Sequence, residues 1–136
     1  MKILDNDFVK VEYDKQTEII SLTWLVTPTS EEIRIGLNAG RDFVKDNNVT
    51  KWIGDTTHLG VIADEDLEWI NTKWFPTLLQ AGIKKMAVIL PNNVFGQMNV
   101  EDIMGTVDTS TGFESRYFDG IEDATNWILN KENKAA

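Results

Sequence analysis

Apolar and polar residues alternate from Phe8 to Tyr13, which sets Val9, Val11 and Tyr13 on one face and Phe8, Lys10 and Glu12 on the other. The stretch from Thr17 to Leu25 alternates as well, with Ile20, Leu22 and Trp24 opposed to Ile19, Ser21, Thr23 and Leu25. A period of two is the pattern of a strand with one buried face. The short polar link Asp14-Lys15-Gln16 joins the two runs as an antiparallel hairpin at the edge of a sheet.

The period then lengthens. Thr29-Ser30-Glu31-Glu32 has the form of a capping box, with Thr29 as N-cap and Glu32 reaching back to it. Ile33, Leu37, Gly40 and Val44 follow at helical spacing, and Asn47-Asn48 ends the helix. Gly36 and Gly40 each weaken a helix by up to about 1 kcal/mol relative to alanine. Close approach of the helix to the sheet is the expected compensation, with a contact between subunits as the alternative.

Lys51 to Asp55 reads as a short strand built on Trp52-Ile53-Gly54. Asp64 to Ala81 is helical, with Leu67, Ile70, Trp74 and Leu78 as its inner stripe, and Pro76 predicts a kink or break near Phe75. The unbroken apolar run Met86 to Leu90 predicts a parallel strand buried on both faces. A helix over Asn99 to Val107, a strand over Phe113 to Phe118 and a final helix capped by Asp119-Gly120-Ile121-Glu122 follow. In that last helix Ile121, Ala124 and Ile128 are expected to face inward, with Trp127 at the flank. The order β-β-α-β-α-β-α-β-α predicts an α/β fold with right-handed crossovers, a largely parallel sheet and the first strand as its antiparallel edge.

Composition narrows the class of function more than the fold. The 136 residues suit a single domain over 1–136 with a frayed tail at 131–136. Thirteen basic against 22 acidic residues give a net charge of −9, a field that repels phosphate backbones and anionic lipid, so nucleic-acid binding is not expected. The chain has no cysteine, which excludes disulfides and thiolate chemistry. Neither a signal peptide nor an apolar run near the roughly 20 residues of a membrane helix is visible. A cytoplasmic protein with no membrane insertion is the expectation.

The segment Tyr117-Phe118-Asp119-Gly120-Ile121-Glu122-Asp123-Ala124-Thr125-Asn126-Trp127-Ile128-Leu129 resembles the closing F-x-x-x-E-x-A-x-x-W-L pattern of small bacterial proteins of the STAS and CRAL-TRIO type. The passage from Trp74-Phe75-Pro76 into Lys84-Lys85-Met86-Ala87-Val88 resembles the same group. The resemblance covers nearly the whole chain and implies a STAS (SpoIIAA-like, anti-sigma-factor-antagonist) fold. Phosphorylatable members of that family carry an Asp-Ser-Ser-Gly-like turn after the third strand. Here Asp64-Glu65-Asp66-Leu67 stands in that place with no hydroxyl, so no phospho-switch is expected.

Ligands of open α/β sheets bind beyond the carboxyl ends of the parallel strands. That rim would hold Thr27-Pro28-Thr29, Asp55, Thr56, Thr57 and His58, and Asn92 with Asn93. Asp55 and His58, the sole histidine, have the residue types of an orienter and a general base, but no catalytic set is completed by a nucleophile, and His58 is expected to be a loop residue. Asp64, Glu65, Asp66 and Glu68 lack the calcium-loop spacing and read as first-turn acidic residues opposing a helix dipole. No phosphate loop or dinucleotide fingerprint occurs, so no cofactor or metal is expected.

Five tryptophans are the unusual feature. Trp52 and Trp74 are expected in the core, whereas Trp69 falls off the inner stripe and, with Phe75, suggests a partner or homodimer surface. The leading expectation is a non-catalytic regulatory module acting through protein–protein contacts. A carrier of a small apolar, lipid-like ligand is the alternative, and a hydrolase using Asp55 and His58 the third. A filled core with a flat apolar surface would favour the first, an apolar cavity the second, and convergent polar groups with perturbed ionisation the third.

Overall fold

The alternating runs form the expected hairpin, β2 (Val9–Asp14) against β3 (Ile19–Trp24), in a register that sets Val9 opposite Trp24 and Asp14 opposite Ile19. The Asp14 carboxylate closes the turn by accepting from the Gln16 amide at 2.9 Å. The computed structural model describes residues 1–95 and 112–129; the expected helix over Asn99 to Val107 and the tail at 131–136 lie outside them.

A further strand, β1 (Lys2–Asp5), precedes the hairpin and pairs antiparallel with β2. The edge strand is therefore β1, and the Phe8–Tyr13 run, expected at the edge, lies one strand in. Beyond β3 the sheet continues through β4 (Lys51–Asp55), β5 (Lys85–Ile89) and β6 (Glu114–Phe118), all parallel. The six strands lie side by side in chain order. The protein is thus α/β, with an antiparallel edge on an otherwise parallel sheet.

Helix α1 (Ser30–Asn47) begins with both bonds of the capping box. The Glu32 amide donates to Thr29 Oγ1 at 3.2 Å, and the Thr29 amide donates to Glu32 Oε1 at 3.0 Å. Thr29→Ala should lower the unfolding free energy by about 1 kcal/mol, read as a shift in urea midpoint with the slope unchanged. Asn48 ends the helix in the left-handed region, at φ 56°.

Gly36 and Gly40 face the sheet. A Cβ on Gly36 would come within 2.7 Å of Trp24 Cη2, and one on Gly40 within 2.7 Å of Trp52 Cη2 and 3.0 Å of Leu22 Cδ1. Both glycines exist so that two indoles can lie beneath the helix, which selects the sheet-contact expectation over the subunit contact.

The second helical region is three pieces: α2 (Asp64–Trp69), a π-turn (Ile70–Trp74) and α3 (Phe75–Ala81). Pro76 has no amide proton and its ring crowds the carbonyl of the preceding turn. The chain answers by widening, with the Phe75 amide donating to the Ile70 carbonyl five residues back, rather than by breaking. The wider turn also displaces the inner face. Trp74 and Leu78 are buried as expected, but Leu67 is 44% exposed and Asp66 is buried in its stead. The buried carboxylate accepts a hydrogen bond from Ser30 Oγ at 2.8 Å, tying α2 to the start of α1.

Two apolar clusters result. The larger joins Val9, Val11, Ile20, Leu22, Trp24 and Trp52 to residues of α1 and α3. The smaller joins Ile19, Ile53, Ala87 and Ile89 to Ala124 and Ile128 of the last helix. A four-residue helix, α4 (Asn92–Phe95), follows β5, and α5 (Ile121–Ile128) follows β6. Gly120 is the N-cap of α5 and supplies no side-chain bond. Ile121, expected inside, is 56% exposed, so the buried stripe of α5 starts one turn later at Ala124. Among the described residues no helix is long and apolar enough to cross a membrane.

Candidate functional site

At the centre of the sheet β4 reads Lys-Trp-Ile-Gly-Asp, and the register places Gly54 between Leu22 of β3 and Val88 of β5. Those three positions share the face covered by α1 and the π-turn. A glycine inside a strand leaves unfilled the volume that a side chain would occupy, and commonly marks a close approach by something else. Among the described residues nothing makes that approach. Apart from Gly54's immediate neighbours along the chain, the sole described atom within 4 Å of the missing side chain is Nε1 of Trp52, at 3.5 Å.

The vacancy opens into an apolar pocket of about 180 Å³. Trp24, Trp52 and Met86 complete its sheet side, Ile33 and Leu37 of α1 form one wall, and Ile70 and Trp74 of the π-turn form another. Thr56, Leu59 and Ile62 of the segment that links β4 to α2 also line it. The pocket explains a departure in β5. The apolar run there predicts burial on both faces, yet only Ala87 and Ile89 are buried fully, because Met86 and Val88 look into the pocket.

Two features hold the rim. Thr56 Oγ1 donates to the Ile89 carbonyl at 2.7 Å, pinning the end of β4 to that of β5. Asp55 Oδ1 accepts from the amide and the hydroxyl of Thr57, at 3.0 and 2.6 Å. Asp55 is thereby engaged by Thr57 and not by His58, which is exposed. The acid–base pair that the hydrolase reading needs is not assembled. Among the described residues no group of three or more histidine or carboxylate side chains could hold a metal ion.

Of the residues expected at the rim, Thr56 alone lines the pocket. Asn92 and Asn93 are exposed on α4. The two aromatics expected to form a partner surface are engaged within the chain. Trp69 is partly buried beneath the Arg34 guanidinium, 4.7 Å from the ring centre, and Phe75 stands edge-to-face on Phe113 at 5.3 Å. These contacts occupy part of both rings, and each stays partly exposed.

The sequence named Trp52 and Trp74 as core residues without assigning them a site, and treated Gly54 as one residue of a strand. The signal available was a glycine at the middle of a parallel strand, two residues after a tryptophan. No protein-family model, curated protein or solved structure matches the chain.

Proposed function

We propose that the protein binds a small apolar molecule in the pocket over Gly54, without transforming it, on a STAS-like frame that has lost the phosphorylatable turn. The observation that carries this reading is the unfilled space at Gly54, continuous with an apolar pocket at the carboxyl ends of three parallel strands. That is where open α/β sheets take ligands. A pocket of about 150 Å³ lined by aliphatic and aromatic groups suffices for benzene, so the volume here suits a substituted aromatic ring or a short branched chain.

The regulatory reading joins this one through the segment that links β4 to α2. Val61, 91% exposed, lies between Leu59 and Ile62, both of which touch the pocket. A molecule that moves those two side chains moves a solvent-facing apolar residue with them, and a protein partner would feel the difference.

The test is a titration of the protein with α-methylstyrene, followed by tryptophan fluorescence and by melting temperature. Three indoles wall the pocket, so emission should change saturably, and the melting temperature should rise with probe as mass action requires. Unchanged emission and melting up to the solubility limit, with α-methylstyrene and with its ketone analogue acetophenone alike, would remove the proposal.

A further inference from the structure

We infer that the ligand carries a neutral hydrogen-bond acceptor, a carbonyl or ether oxygen on a small flat apolar body, and seats it over Gly54, where the indole N–H of Trp52 donates to it. The inference rests on the pocket reading above and adds to it the polar contact that would fix the ligand's orientation.

The geometry starts from the missing side chain. A methyl group at Gly54 would sit 3.5 Å from Trp52 Nε1, and among the described residues nothing else approaches that point within 4 Å apart from those adjacent in the chain. A ligand oxygen reaching slightly past that point enters the range of an N–H···O bond, about 2.7–3.2 Å. The π-turn wall holds a second donor. Nε1 of Trp74 is buried without a partner among the described residues, and its ring meets that of Trp52 edge-on with centroids 5.6 Å apart.

The acceptor side of the pocket is poorer. Thr56 has committed its proton to the Ile89 carbonyl, so its oxygen has only a lone pair to offer. Of the other described lining side chains, Trp24 carries a further indole donor, Met86 a thioether, and the rest are aliphatic. A hydrocarbon would offer these donors no acceptor. A carboxylate would be stripped of water with no cation in the described lining to meet it. A neutral acceptor avoids both penalties.

Acetophenone and α-methylstyrene share one shape and differ in C=O against C=CH2, which makes them a direct probe pair. They are titrated into ¹⁵N-labelled wild-type protein and into Gly54→Ala, with the Trp52 indole resonance assigned through Trp52→Phe. Both probes should bind the wild type, and acetophenone alone should move the Trp52 indole proton downfield. Gly54→Ala adds a methyl at ordinary contact distance, so it should fold with an unchanged melting temperature while weakening acetophenone about tenfold or more, the scale of one lost hydrogen bond and its volume. Binding of α-methylstyrene with an unmoved Trp52 resonance under acetophenone would overturn the inference and leave the pocket reading standing. Undiminished acetophenone affinity in Gly54→Ala would do the same. Failure of both probes to bind the wild type would overturn both. Should Gly54→Ala not fold, the indole shift in the wild type decides alone.

Discussion

Trp52→Ala is expected to lower the unfolding free energy by about 3–5 kcal/mol, the range for deleting a large aromatic from a core. Trp52 is 3% exposed, lies under Gly40 of α1 and meets Trp74 of the π-turn. It is the piece that spaces helix from helix above the central strand. Its removal merges the apolar pocket with a new void that neither glycine-bearing helix nor proline-widened turn has side chains to fill. For a domain whose whole stability is roughly 5–15 kcal/mol, that is a large fraction, and urea unfolding followed by far-UV circular dichroism measures it. A loss below about 1 kcal/mol, the size of an ordinary surface change, would mean that Trp52 does not hold these layers apart.

Gly40→Ala should be destabilising by about 1–3 kcal/mol even after the gain in helix propensity. In an exposed helix the same substitution stabilises by up to about 1 kcal/mol, so the sign alone is diagnostic. The added carbon meets Trp52 Cη2 at 2.7 Å and Leu22 Cδ1 at 3.0 Å. Both belong to the larger core cluster, so a shift of either ring or methyl disturbs its packing. The pair Trp52→Phe with Gly40→Ala, in which the smaller ring frees the space, should recover part of the loss, a coupling that a double-mutant cycle reads directly. A stabilised Gly40→Ala would show that α1 rides higher over the sheet than described.

Much of this architecture is visible in the amino-acid pattern, and what is missing has identifiable causes. The hairpin faces, the capping box on Thr29 and the end of α1 at Asn48 follow from local rules, because each depends on residues within a few positions of one another. Strand β1 escapes them. Its four residues, Lys-Ile-Leu-Asp, hold one adjacent apolar pair and no alternation, and its strand geometry comes from pairing with β2. The exchange of Leu67 for Asp66 escapes as well, since a 3.6-residue period cannot anticipate where a proline will be absorbed as a wider turn. The donor to Asp66, Ser30, lies 36 positions away.

The pocket is the least legible element. A cavity is a property of what surrounds a position, and the sequence around Gly54 states only that a side chain is missing there. The same glycine under a bulky helix residue would be plain packing. Trp69 shows the converse, since a residue that falls off its helix's inner stripe invites an interface, and the partner turns out to be Arg34 of the same chain.

Because the strands stand side by side in chain order, the sheet can be built in the order in which a ribosome delivers it. Each strand finds its neighbour already made, and no strand waits for a distant one to arrive. The described pocket lining runs from Leu22 to Val88, so all of that lining has been synthesised before β6 begins at Glu114. The emerging chain presents β5 as a temporary open edge during that interval, the kind of edge on which nascent chains pair wrongly. A ligand that seats itself against Met86 and Val88 at that stage would hold the parallel strands in register until β6 covers them and Phe113 closes on Phe75.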